Sequence, residues 1–153
     1  MRQLYRIFAK LFGHFGSLLS DSLERPVSSP AVELRKLRDR KNFASKDSGA
    51  TIIWRSEGIT NPKSILSANK EEYLILPDCK EHKEYSLIVN LSEDVLVDTI
   101  VITNHEDFSD MLGSIHFEGS IDYPPEHQWI DVGEVRPAVN QHEHVLNVEL
   151  DKS

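Results

Sequence analysis

From Asn42 onward no segment of the chain offers the roughly ten or more helix-forming residues that a parallel crossover connection needs. Short apolar runs rich in β-branched residues alternate there with turn signals. The candidate strands are Ala50 to Trp54, Tyr73 to Leu76, Tyr85 to Leu91, Leu96 to Thr103, Ser114 to Gly119, Trp129 to Val135 and Val145 to Leu150. Asn61-Pro62, Pro77-Asp78, Ser92-Glu93-Asp94, Pro124-Pro125 and Arg136-Pro137 punctuate them. This pattern excludes doubly wound α/β folds and predicts an all-β antiparallel sandwich, with one short helical turn near Lys63 to Ala68.

The first part of the chain reads differently. Leu4, Ile7, Phe8, Leu11, Phe12, Phe15, Leu18 and Leu19 recur at helical spacing, with Arg2, Gln3, Arg6, Lys10, His14 and Ser17 opposite them. Residues 1 to 19 are therefore expected to form a basic amphipathic helix. Three uses stay open for it: packing on protein, contact with a membrane surface, or service as a degenerate signal peptide. Residues 20 to 30, SDSLERPVSSP, read as a linker, and residues 31 to 41 as a charged helix leading into a domain at 42 to 150.

The charge is divided along the same line. Residues 1 to 46 hold ten basic and four acidic side chains, and residues 47 to 153 hold seven and twenty-one, giving a net −8 over 153 residues. That balance argues against a general nucleic-acid binder, because phosphate neutralisation needs clustered cations with little opposing charge. No apolar run approaches the ~18 residues of a membrane-spanning helix, since Lys10 and His14 interrupt the most hydrophobic stretch. A lone Cys79 makes no internal disulfide and gives no sign of compartment.

Four stretches in the β segment occur in a recognisable order. They are Asn42 to Trp54 (NFASKDSGATIIW), Ser64 to Cys79 (SILSANKEEYLILPDC), Leu87 to Ser109 (LIVNLSEDVLVDTIVITNHEDFS), and Ile115 to Gly133 with Tyr123-Pro124, Trp129 and Val132-Gly133. Together they resemble the SUN domain family, in its SUN-like, osteopotentia-type branch, over about Arg38 to Leu150. The resemblance implies a jelly-roll, galactose-binding-like sandwich. It also implies a non-catalytic protein of the endoplasmic reticulum or nuclear envelope lumen that binds or stabilises a membrane-protein partner or client.

Asn104, Glu106, Phe108 and Tyr123 are the partner-binding candidates that the resemblance suggests. Relatives usually carry cysteine where this chain has Ser48 and Ser92, and they continue past Leu150 with a further strand. A truncated sandwich with an open edge is thus expected, with residues 1 to 19 packing over part of the gap or lying beside it.

Residue chemistry adds little beyond this. His142 and His144 alternate on one predicted strand and are candidate zinc ligands, although surface imidazoles account for them as well. Glu106, Asp107 and Asp110 crowd one loop without the residue order of a dedicated calcium loop. No nucleophile elbow, phosphate loop or His-Glu-x-x-His helix is present, so neither enzyme activity nor a cofactor is expected. Asn90-Leu91-Ser92 is an N-glycosylation sequon, which matters if the chain is lumenal. Gly49 suits a tight turn, Tyr73 and Trp129 are large core candidates, and Pro124 suits a turn. A carbohydrate-binding jelly roll is the alternative function, for which the loops supply acids but few aromatics expected at the surface.

Overall fold

The computed structural model describes residues 6–12, 39–77, 84–104, 114–138 and 141–148. Among the described residues, seven strands form two antiparallel sheets: β1 (Arg6–Phe12), β2 (Thr51–Arg55), β3 (Glu84–Asn90), β4 (Thr99–Thr103), β5 (Ser114–Ser120), β6 (Ile130–Val135) and β7 (Glu143–Asn147). The larger sheet runs β2-β3-β1-β5-β6 and the smaller is the β4-β7 pair. Two short 3-10 turns, at Lys46–Ser48 and Pro62–Leu66, are the helical elements among the described residues, and no helix there is long and apolar enough to cross a membrane.

Alternation explains the strands. Tyr85, Leu87 and Val89 on β3, and Ile115 and Phe117 on β5, recur every second residue and enter one core together with Val135 of β6. Ile100 of β4 joins that cluster, and Ile102 and Leu146 pack against it, so both sheets contribute to the same apolar interior. The approach is close at Gly133 of β6, where a Cβ would lie 3.2 Å from the Leu146 Cδ2 of β7. Leu87 and Leu91 are the most completely enclosed large side chains, 1% and 2% exposed. Burial of each is worth roughly 1.5–3 kcal/mol.

Five predicted strands stand close to their expected positions, with ends displaced by a residue or two in most. The Leu96 to Thr103 strand is shorter than expected and begins at Thr99. Tyr73 to Leu76 forms no strand: Thr60 and Ile75 share an isolated bridge, and Asn61 Nδ2 donates to the Tyr73 carbonyl at 3.2 Å. Leu74 and Leu76 of the segment pack against the core, while Tyr73 and Ile75 face outward, so Tyr73 is 57% exposed and is not the core residue its size suggests. Trp129 is half-buried. The helical turn near Lys63 is present as Pro62–Leu66, with proline at its start, where a missing N–H costs nothing.

The largest correction concerns the N-terminal helix. Arg6–Phe12 is a strand, and it occupies the centre of the larger sheet. It pairs antiparallel with β3 on one side and with β5 on the other, from Arg6↔Asn90 and Arg6↔Ser120 to Phe12↔Glu84 and Phe12↔Ser114. Helical spacing misled here because Ile7, Ala9 and Leu11 also alternate with period 2, and a short apolar run fits both periods. Tertiary context decides such cases, and two flanking ladders supply it. The segment thus enters the sheet, where packing of a helix over an open edge was expected. At the end of the predicted lead-in helix, residues 39–41 form a turn, a bend and coil. The rest of that helix, the 20–30 linker and the remainder of residues 1–19 lie outside the described residues.

Candidate functional site

A groove of ≈ 370 Å³ runs between the segment 40–44 and β4. Its floor is apolar, with Leu91, Val97 and Ile100 from the domain and Phe43 and Ala44 from the segment. Phe43 and Ala44 pack on the core, which draws the preceding cations over the acidic loop before β4. There the Arg40 guanidinium donates from Nη2 to both Asp98 carboxylate oxygens at 2.7 and 2.9 Å, and from Nη1 to Thr99 Oγ1 at 3.3 Å. The bond from Arg40 holds the Asp98 carboxyl below its ordinary range, against the opposing effect of desolvation. Lys41 pairs with Glu93 and lies 4.6 Å from the centroid of the Phe43 ring. Two cations that sequence alone assigns to a solvated helix are therefore committed to carboxylates, and the rim around them holds exposed Leu96 and Val101.

Asn104, at the end of β4, is tied to His142 just before β7. The Asn104 N–H donates to the His142 carbonyl at 2.7 Å, and His142 Nδ1 donates to the Asn104 carbonyl at 3.0 Å. His144 is buried and donates from Nε2 to the Gln141 carbonyl at 3.1 Å. A carbonyl only accepts, so each ring carries its proton on the nitrogen named. Those two nitrogens are not available to a metal. Among the described residues no group of three His, Cys, Asp or Glu is placed to hold one. His144 is thus a satisfied core histidine and departs from the surface reading.

Tyr123 is 39% exposed on a separate connection after β5, next to the cis Tyr123-Pro124 peptide. Glu106, Phe108, Asp107, Asp110 and Cys79 lie outside the described residues. Asn90 ends β3, paired with Arg6 and Thr51, and is partly buried; Leu91 is enclosed, and the Ser92 hydroxyl donates to the Ser48 carbonyl.

The groove itself was not foreseen. Its sequence signal is the run Arg40-Lys41-Asn42-Phe43, where an aromatic interrupts the charge pattern, set against Glu93 and Asp98 some fifty residues on. Exposed aromatics were also underestimated, since Trp54 on the edge strand β2 is 44% exposed beside the 57% of Tyr73.

The profile of the family described as Sad1 / UNC-like C-terminal matches residues 55–150. The chain belongs to the Sad1/UNC-like family. Its SUN domain is 35% identical over 95 residues to the uncharacterised protein slp1 of Schizosaccharomyces pombe, covering 61% of this chain and 14% of that protein. It is 30% identical over 102 residues to SUN domain-containing protein 4 of Arabidopsis thaliana, covering 67% and 17%. It is also 28% identical over 92 residues to SUN domain-containing protein 5 of the same plant, covering 60% and 16%. The chain thus spans about one sixth of the length of these curated relatives. No solved structure matches the SUN chain. The Sad1/UNC-like match begins at Arg55 on β2 and takes in β3 through β7, the strands that build both sheets apart from β1 and most of β2.

Proposed function

We propose that this SUN domain is a non-catalytic interaction module of the endoplasmic reticulum or nuclear envelope lumen, which binds or stabilises a membrane-protein partner or client. Family membership over residues 55–150 is the observation that carries the reading. The two sheets with their shared core are consistent with a jelly-roll sandwich, a scaffold whose rims and loops present binding surfaces. Asn104 and Tyr123, with Glu106 and Phe108, are the proposed contact residues. Asn90 is a glycan acceptor if the chain is lumenal. A membrane-surface contact through residues 1–19 would be made with Arg6–Phe12 held in the sheet, and retention of the full chain on anionic vesicles measures it.

Proximity labelling and pull-down of the full chain in its own cell test the main reading. Enrichment of membrane proteins of the endoplasmic reticulum or nuclear envelope is the expected result, and a purely cytosolic neighbourhood would overturn it.

One observation favours a second reading. Trp54 and Tyr73 present aromatic faces to solvent, and sugars stack on such faces. Selective micromolar binding to one sugar class on a glycan array, lost in Trp54→Ala, would establish a carbohydrate-binding module in place of a protein-binding one.

A further inference from the structure

The centre of the larger sheet is a strand-wide slot. β3 and β5 do not pair with each other; each pairs with β1, residue for residue over seven positions. Without a strand between them, the β2-β3 pair and the β5-β6 pair have no hydrogen-bonded connection in this sheet.

The register sets which residues face each other across the slot. Ala9, the smallest side chain of the seven, stands opposite Leu87 and Phe117, which are 1% and 3% exposed. Ile7 stands opposite Val89 and Gly119, and Leu11 opposite Tyr85 and Ile115.

The occupant is joined to the rest of the fold by a long tether. No hairpin links it to either neighbour, and 26 residues separate Phe12 from Asp39, where description of the chain resumes. Such a length of chain reaches at most ~90 Å when extended, at about 3.3–3.6 Å per residue. A backbone ladder is the same whether the strand comes from its own chain or another, so exchange of an identical element preserves every pair. Charge adds a directional attraction between copies. Residues 1–12 hold Arg2, Arg6 and Lys10 and no acidic side chain, and residues 47–153 carry seven basic against twenty-one acidic side chains, so the first part of one copy is drawn to the acidic domain of another.

We propose that the β3/β5 slot is a strand-binding site that accepts Arg6–Phe12 of a second copy of this chain as well as its own, giving a strand-exchanged dimer. The slot takes an antiparallel, seven-residue strand.

The test uses the full chain with Cys79→Ser throughout. One copy carries Lys10→Cys and a differently tagged copy carries His116→Cys, positions that are direct partners in the β1–β5 ladder. Facing positions of an antiparallel pair lie within the range a disulfide spans. Co-expression followed by mild oxidation is expected to give a disulfide-linked heterodimer. Its fraction should rise with protein concentration, and light scattering should shift from the monomer mass to twice that mass. A single chain carrying both cysteines serves as the reference for closure within one molecule. If that chain closes its own disulfide while the mixed copies never cross-link at any concentration, exchange does not occur and the proposal fails. If the doubly substituted chain does not close either, in this pair or in a Lys10→Cys/Ser86→Cys pair, the strand does not occupy the slot and the proposal fails as well.

Discussion

The Ser92 hydroxyl donates a hydrogen bond to the backbone carbonyl of Ser48, 44 residues earlier in the chain. Ser48 in turn donates its own hydroxyl to the Asn42 carbonyl at 2.7 Å, so the turn before β2 is held to the loop after β3 by a relay of two serines. These are the two positions at which the family resemblance implied cysteine. Removing the donor with Ser92→Ala leaves the Ser48 carbonyl to water at an exposed site, and a loss of about 1 kcal/mol is expected from denaturant titration. An unchanged midpoint would show that the relay is only incidental to the fold.

Gly49 lies beside this bond with φ +87°, and a Cβ there would come within 3.1 Å of the Ser92 Cβ. Left-handed backbone costs an ordinary residue about 1–2 kcal/mol, and the contact adds to it. Gly49→Ala should therefore destabilise the domain by at least that amount. Combined with Ser92→Gly, which clears the neighbouring side chain, the penalty should fall back toward the backbone strain alone; a double-mutant cycle of equilibrium unfolding measures this.

Leu87 is the most enclosed of the large core side chains, on a strand that bridges β2 and β1. Leu87→Ala removes buried methyl groups and leaves a cavity where the neighbours do not collapse, so a loss of about 2–5 kcal/mol is expected. Leu96→Ala, at a side chain 58% exposed on the groove rim, should change stability by less than about 0.5 kcal/mol. Equal effects for the two in thermal or chemical unfolding would contradict the burial described.

The Arg40–Asp98 pair predicts a direction in pH. Its carboxyl is held below the ordinary value of 3.8, chiefly by the bond from Arg40, so the folded state binds this proton less readily than the unfolded state does. The stabilisation is present above that ordinary value and is lost as pH falls through the lowered folded one. Both partners are about half exposed, so screening keeps the contribution below about 1 kcal/mol. Arg40→Gln should flatten the stability profile between roughly pH 5 and 3, as followed by the urea midpoint. An identical acid limb in the variant would remove the pair from the account.

Legibility in the sequence followed the strength of local pattern. β3 and β5 were plain, because Tyr85, Leu87 and Val89 on one and Ile115 and Phe117 on the other recur at every second residue. Gly49 was legible as a turn glycine before its φ was known. Tyr73 was not, because its composition says strand and core while its backbone is fixed at a single bridge, and burial depends on what covers a side chain. β1 was illegible for a related reason: its choice between helix and strand is made by β3 and β5, both more than seventy residues away. At the candidate site, the Arg40–Asp98 and Lys41–Glu93 pairs join segments over fifty residues apart, and periodicity carries no information at that range.

The placement of β1 also sets a timetable for synthesis. The strand leaves the ribosome before either of its neighbours, and the second of them ends only at Ser120. The sheet cannot close around it until Ser120 has been translated, so productive folding waits on contacts of high sequence separation. During that interval Arg6–Phe12 waits as an apolar, extended segment with two basic residues and no sheet to join, the kind of sequence that holding chaperones bind. Slowing elongation before Ser120 should lengthen that period of dependence, whereas slowing it after Asn147 should not.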